Sequence, residues 1–344
     1  MTTIAVLGAG GLTGRLLVAA LGERGHDVVV TPSGAPQLPD AELALVASRD
    51  PDDRFRWLSA CVRAGVHAID AGTDAGVAAR AYDELDLVSR DTGVVIVPGA
   101  GSAVGDLVGA SAAAAVSGPA EVHVCWAFPD RGGWRRAVAP GLRATAAARL
   151  AQPMPVLSEG RRTQERAGEA RRLAWFPKPI GPAHAASVPA AEAVSVPRHV
   201  PGVRTVRTYL ALSAWRAEVL QATANAVRSP RWQAVVGRRW EQGTEPATGA
   251  DAPRWACVAE SRGRDGVGRS WAYGRDVVGV AVEGMLACTD AILAGHCDAG
   301  AVPPARIEVP AAMLDRLSVR TRLRWSVARP SSDATTVYGS SHGG

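Results

Sequence analysis

Lysine is almost missing from this chain. Lys178 is the single one among 38 basic residues, so positive charge is carried by arginine, a bias that with abundant alanine and glycine speaks of a GC-rich genome. The 33 acidic residues are interspersed with the basic ones, and only Arg161 to Arg172 looks like a basic run. Glutamates interrupt that run, which makes it a solvated segment rather than a phosphate-backbone surface and excludes nucleic acid as a partner. Cysteine is scarce too. Cys61, Cys125, Cys257, Cys288 and Cys297 are odd in number and never form a Cys-x-x-Cys pair, which excludes a disulfide framework and a zinc site. No apolar run reaches membrane-span length, and the amino end enters a strand without a charged leader. The expected location is cytoplasmic, with no membrane span. With 344 residues, 47% hydrophobic and 21% charged, what remains is a globular enzyme of two domains, for which a homodimer is allowed.

Glycine is present where chemistry needs it. Ile4-Ala-Val-Leu7 is a short apolar run that breaks into Gly8-Ala-Gly-Gly-Leu-Thr-Gly14 and resumes at helical spacing through Leu16, Leu17, Ala20 and Leu21. Strand, tight turn, helix is the opening of a Rossmann-type dinucleotide-binding unit. Gly8 makes the turn, Gly10 and Gly11 leave backbone N–H groups open to a pyrophosphate, and Gly14 lets the helix lie close. The bland alternative is an ordinary tight turn. The spacing fits two variants of the standard pattern, Gly8-x-Gly10 with Gly14 one step late or Gly8-x-x-Gly11-x-x-Gly14. Asp27 to Thr31 is the second strand, as the unit requires.

The pattern then departs from a complete half-unit. Pro32-Ser-Gly-Ala-Pro-Gln-Leu-Pro39 leaves no room for a crossover helix before the next apolar run at Leu43, so the sheet is trimmed on its adenine side. Regular alternation follows: helix from Asp53 to Ala64, strand His67 to Asp70, helix Ala75 to Arg90 with Tyr82, Leu85 and Val88 inward, strand Val94 to Val97, and a small-residue helix Asp106 to Val116. The expected fold is α/β: a doubly wound parallel sheet over residues 1–118, trimmed after the second strand. Residues 119–276 form an α+β substrate domain with a mixed or antiparallel sheet, carrying strands Glu121 to Phe128, Arg204 to Ser213, Arg254 to Glu260 and Arg269 to Tyr273. A helical stretch, Arg216 to Trp240, lies among them. Residues 277–330 return to the first domain through a long helix, and 331–344 form a disordered tail.

Several stretches together resemble the saccharopine dehydrogenase-like (saccharopine reductase) oxidoreductases, in particular an actinobacterial branch that includes trans-acting enoyl reductases. They are Gly8 to Arg15, Ala60-Cys-Val-Arg-Ala-Gly-Val-His-Ala-Ile-Asp70, Val97-Pro-Gly-Ala-Gly-Ser-Ala-Val-Gly-Asp-Leu107, Phe176-Pro-Lys-Pro-Ile-Gly181, Pro197-Arg-His-Val-Pro-Gly-Val-Arg204 and Tyr273-Gly-Arg-Asp-Val-Val-Gly279. The resemblance implies an NAD(P) domain, a second domain carrying the substrate, and hydride transfer to a C=C or C=N bond. Two positions depart from it. Thr31-Pro32-Ser33 carries neither the basic residue for an adenine-ribose phosphate nor the carboxylate for an NAD ribose, and Ala47-Ser48-Arg49-Asp50-Pro51 replaces a Gly-Pro turn beside the nicotinamide. Arg49 either supplies the missing phosphate ligand or pairs with Asp50 or Asp53 at the surface.

The cofactor residues expected on these grounds are Gly8, Gly10, Gly11, Leu12, Thr13, Gly14, Ser33, Ser48 and Arg49, with NADP ahead of NAD. In an open α/β sheet the loops Gly8 to Thr13, Ser48 to Asp50, Ala71 to Asp74 and Gly99 to Asp106 should converge on one crevice. Asp70 and Asp74 flank one loop and either could orient substrate, though the first reading of Asp74 is a helix N-cap or turn residue; Asp106 opens a helix and reads first as a helix-start carboxylate. A reductase needs a proton donor. Lys178, in a loop that relatives place near the substrate, His184 and Tyr209 are the candidates, against the plainer readings of a solvated lysine, a surface imidazole and a core tyrosine. His199 reads the same way as His184. Nine tryptophans beyond Gly118 point to a wide apolar pocket for a flat or greasy ligand. Three readings stay open: an NADPH-dependent reductase of an apolar lipid or polyketide-like intermediate, a non-redox cyclase or isomerase without cofactor, and a nucleotide-sensing binding protein.

Overall fold

The structure is a computed structural model that describes residues 2–330 except 36, 131, 151 and 228, with the backbone alone at 141, 142, 144, 145, 148 and 230. The expected tail from Ser331 lies outside the described residues. Strands Thr3–Leu7 and Leu43–Val46 lie in the middle of a six-stranded parallel sheet, and from Ile4 and Leu43 onward they are fully buried on both faces. That is why they read as continuous apolar runs rather than alternating ones. From one edge the order is Gly300–Ala301, Val95–Val97, His67–Asp70, Leu43–Val46, Thr3–Leu7 and Asp27–Thr31. The chain reverses direction across the sheet between Thr3–Leu7 and Leu43–Val46, which is the switch point where such sheets bind ligands.

Successive side chains of one strand feed two cores. Ile4 and Val6 pack with Leu17 and Leu21 of helix Leu12–Glu23 and with Met285 of helix Val277–Leu293, whereas Ala5 and Leu7 pack with Trp57, Leu58 and Cys61 of helix Pro51–Ala64. The sheet is therefore doubly wound, as expected. Among the described residues Asp27–Thr31 is its last strand on that side, so the trimmed edge is observed directly.

The second sheet is mixed. Its order is Arg324–Ala328, Gly266–Arg275, Arg254–Gly263, Glu121–Ala127, Thr205–Ala211, Pro182–Ser187 and Arg171–Trp175, with hairpin Met154–Ser158 and Arg161–Glu165 attached to Thr205–Ala211. Only Glu121–Ala127 and Thr205–Ala211 run parallel within it. Helix Ala103–Ala114 lies between the two sheets. Its small residues permit close approach: a Cβ on Gly268 would stand 2.9 Å from the Ala112 carbonyl oxygen. The carboxyl-terminal segment divides its strands, Gly300–Ala301 joining the first sheet and Arg324–Ala328 the second.

Two local expectations are corrected, and one helix was not anticipated. The helix from Ala75 is interrupted by a π turn at Ala81–Leu85, which rotates the face and leaves Val88 exposed while Tyr82 and Leu85 stay buried. The stretch Arg216 to Trp240 is two helices, Ala214–Ala226 and Pro230–Glu241, because Pro230 starts a new first turn. Helix Pro140–Leu150, which packs on Pro230–Glu241, carried no clear apolar period in the sequence.

Candidate functional site

The glycine loop is built as its chemistry requires. Gly8 takes φ +78, and a Cβ there would lie 2.7 Å from the Ser48 backbone, so only glycine lets the first and third strands end side by side. A Cβ on Gly14 would stand 2.5 Å from Ala9 Cα; the helix therefore packs against the turn itself. Gly10 differs, because a Cβ there meets nothing within 4 Å and would project into open space. Helix Leu12–Glu23 has Gly11 as its N-cap with no side-chain cap and no acidic residue in its first turn. Its leading N–H groups and positive dipole end are thus free for an anion.

These amides open on a cleft of about 180 Å³ walled by Gly11, Leu12, Thr13, Ala47, Ser48, Arg49 and Ala71 to Thr73. Three of the four loops expected to converge do so. The fourth, Gly99 onward, packs behind: Gly101 N–H donates to the Gly72 carbonyl at 3.2 Å and the loop forms no part of the wall. Ser33 is exposed on the turn after the second strand and is not in the wall. Arg49 faces Glu241 at 3.8 Å rather than pairing with Asp50 or Asp53, since Asp50 caps the following helix and Asp53 holds Arg56 at 2.5 Å.

Beneath the cleft Asp70, read from the sequence as a candidate substrate ligand, is instead paired with Arg54, which the sequence reading passed over. Arg54 is 3% exposed and its Nε stands 3.3 Å from Oδ1 of the fully buried Asp70. Asp70 also accepts from Gly72 N–H at 2.9 Å and Gly99 N–H at 3.2 Å, so one carboxylate ties two loops to the helix Pro51–Ala64. Arg54 Nη2 is buried with no hydrogen-bond partner among the described residues. The available signal was spacing: Arg54, Leu58 and Cys61 share one inward face, where a charge is out of place unless it has a task.

A cap closes the cleft from above. Ala139 and Pro140, at the start of helix Pro140–Leu150, and Glu245 complete its wall. Glu245 is held by Arg15, at 2.6 Å, and Arg149 reaches Asp74 at 2.9 Å. Asp74 is also the N-cap of helix Ala75–Arg80, accepting from Val77 N–H at 2.8 Å. The cleft lies below the size range of pockets that enclose a whole drug-sized ligand, roughly 300–1,000 Å³.

The expected proton donors lie elsewhere. Lys178 is exposed in the turn between strands Arg171–Trp175 and Pro182–Ser187, and His184 is exposed on the second of these. Tyr209 is buried beside Cys125 and Ala256 on the sheet face turned away from helix Ala103–Ala114. Burial pushes its hydroxyl up to about 12, although Arg172 and Arg207 oppose the shift. None of the three is in the cleft wall. The tryptophans do not gather either: Trp255 is core, Trp134 stacks edge-on to Trp240 at 5.2 Å, and Trp175, Trp215 and Trp232 are exposed. Neither this cleft nor two larger ones among the described residues, of about 460 and 400 Å³, has a tryptophan in its wall.

His199 is also corrected, from a surface imidazole to a member of a buried network around Asp106, which does stand in the first turn of helix Ala103–Ala114 as read. Asp106 accepts from Ser195 Oγ at 2.6 Å and the Ala305 N–H at 2.9 Å, and His199 Nε2 lies 2.9 Å away. Burial opposes its charge, yet these partners hold its carboxyl below the usual range. Nearby, Glu192 accepts from Trp126 Nε1 at 2.9 Å, and burial pushes it up to about 7 against that bond. Its neighbour Ala191 donates to the Thr73 carbonyl at the cleft wall. The folded state keeps the Glu192 proton to about pH 7, whereas the unfolded chain loses it near 4.3. The stability tied to the neutral form is therefore full below about pH 4.3 and lost as pH rises toward 7. Glu192→Gln should gain on the parent over that window by on the order of 3 kcal/mol, with no gain below it. Urea unfolding of both proteins from pH 4 to 8 tests this; a difference independent of pH would refute it.

Sheet order, switch point and cradle together define a Rossmann-type α/β protein with a second mixed sheet. No family model matches the chain and no curated protein matches its sequence. Among solved structures, apo histidine-tagged saccharopine dehydrogenase (L-Glu forming) from Saccharomyces cerevisiae is similar at TM-score 0.55 and 10% identity, covering 95% of this chain and 100% of that one. Aspartate semialdehyde dehydrogenase II complexed with ASA from Vibrio cholerae follows at TM-score 0.44, 11% identity, and 86% and 100% coverage. Dipicolinate-bound dihydrodipicolinate reductase from Paenisporosarcina sp. TG-14 stands at 0.38, 12%, and 89% and 98%. The first likeness is one of fold; the other two are too distant to add to it. No helix of the described residues is long and apolar enough to cross a membrane.

Proposed function

We propose that the chain is a nicotinamide-dependent oxidoreductase and, more finely, an NADPH-dependent reductase of a C=C or C=N bond in an apolar lipid or polyketide-like intermediate. The observation that carries this reading is the uncapped start of helix Leu12–Glu23, whose Gly11, Leu12 and Thr13 line the cleft at the switch point of the sheet. In this cleft Gly11, Leu12 and Thr13 hold the diphosphate by backbone N–H groups. Arg49, in the cleft wall, brings positive charge that Thr31-Pro32-Ser33 lacks, which favours the phosphorylated cofactor. The bound cofactor supplies hydride. Arg54, under the floor, stabilises negative charge that develops above it.

A second reading has its own support in the cap. Pro140 and Glu245 narrow the cleft to about 180 Å³, as expected of a scaffold that has given up its cofactor for a non-redox cyclisation or isomerisation. Titration of tryptophan emission with NADPH and NADH, followed by a cofactor-consumption assay on enoyl and imine compounds, separates the two. Saturable quenching with oxidation is expected. Absence of binding by either cofactor would overturn the redox reading in favour of the second, and binding without turnover of any compound would leave a nucleotide sensor.

A further inference from the structure

Beyond Glu245, on the side away from the glycine loop, lies a separate cleft of about 400 Å³ lined by Arg135, Arg136, Arg143, Gly243, Asp251 and Glu245. Arg143 is 5% exposed, in the first turn of helix Pro140–Leu150. One Nη1–H donates to the Arg135 carbonyl at 2.6 Å, but Nε and Nη2 are buried with no partner among the described residues. Gly243 leaves room against that guanidinium: a Cβ there would stand 3.2 Å from Nη2. Burial and the neighbouring charge of Arg135 both press the Arg143 proton affinity down. None of the three arginines has an ion-pair partner among the described residues. A buried cation with unsatisfied donors costs more than a neutral orphan, and an anion in the cleft removes that cost.

Charge identifies the anion. Glu245 is committed to Arg15, so three guanidiniums face one remaining carboxylate, Asp251, and the lining keeps a surplus of two positive charges. A carboxylate would neutralise half of it; a phosphate dianion neutralises all of it and accepts from several guanidinium forks at once. We propose that Arg135, Arg136 and Arg143 form a second anion site, distinct from the glycine cradle, that binds the phosphate monoester of a ligand held under the cap. The site goes beyond the redox reading, and its test needs no turnover.

The full-length protein is titrated with inorganic phosphate at fixed ionic strength, following thermal stability and the emission of Trp134, next to Arg135 and stacked on Trp240. Saturable stabilisation is expected in the parent and in Gly10→Val, whose change is confined to the cradle. Arg136→Ala, at an exposed position, should weaken it at least tenfold, and Arg143→Met should abolish it without loss of fold, because it removes an unpaired buried charge. No effect of phosphate on the parent, equal effects in the arginine variants, loss in Gly10→Val alone, or equal binding of acetate would each overturn the proposal. The phosphate's source is read from the ratio of NADPH to NADH affinity. A ratio that falls in Arg136→Ala assigns the group to the cofactor, and an unchanged ratio assigns it to the substrate. If neither dinucleotide binds the parent, the redox reading fails while the phosphate result stands on its own.

Discussion

Gly10→Val is expected to fold as the parent does and to lose at least about 100-fold in dinucleotide affinity, near 2.7 kcal/mol at about 1.4 kcal/mol per tenfold. The position is exposed, its backbone lies outside the left-handed region, and a Cβ there meets nothing within 4 Å, so no native contact is disturbed. The two added methyls instead project into open space next to Gly11, the N-cap of helix Leu12–Glu23, and are expected to obstruct a pyrophosphate that accepts from its first-turn N–H groups. The neighbouring glycines make the contrast. Gly8→Ala drives a Cβ onto the Ser48 backbone at positive φ, and Gly14→Ala drives one onto Ala9, so both lose stability before binding is measured. Unchanged NADPH quenching in a well-folded Gly10→Val protein would reduce the loop to a structural turn.

Asp70→Asn should cost about 3–5 kcal/mol, the range for removing one partner of a buried ion pair. The substitution keeps the shape and removes the charge that Arg54 faces at 3.3 Å, Asp70 being fully buried and Arg54 nearly so. An amide also offers one acceptor oxygen where Gly72 and Gly99 each require one, so an N–H is left facing an NH2 group. Because Gly72 is part of the cleft wall, ligand affinity should fall along with stability. Arg54→Met combined with Asp70→Asn should recover part of the loss, since no lone charge is then buried. Denaturant unfolding of the single and double variants decides it. A single-variant loss under about 1 kcal/mol, or strict additivity, would show that the pair carries little.

The strand, turn and helix of the cradle, the trimmed edge and the switch-point loops were legible because each rests on local pattern: apolar runs buried on both faces, glycine where a Cβ has no room, prolines where a helix would need N–H groups. What was not legible depends on contacts between distant segments. Arg15 meets Glu245 and Arg162 meets Asp83 only after both sheets are built, and no period in the sequence announces such pairs. The cap in particular comes from Pro140–Leu150 and the segment after Glu241, whose own apolar patterns are weak. Lys178, His184 and Tyr209 were selected by chemical type, and topology puts Tyr209 on an inner strand of the second sheet and Lys178 and His184 toward its outer edge, all outside the cleft wall. Arg54 went unremarked although its position on an apolar face was the one local sign of it.

The shortened first sheet has a consequence for how copies of the chain meet. With no strand beyond Asp27–Thr31 among the described residues, a row of peptide groups on its outer side is left unpaired, and Val30 beside it is 53% exposed. Such a border invites another molecule to extend it. This one spans only five residues, begins with a charged side chain, and runs at once into Pro32, which has no N–H to lend. The proline-rich connection that removes the adenine wall also acts as a stop, ending the ladder before it is long enough to recruit a stranger.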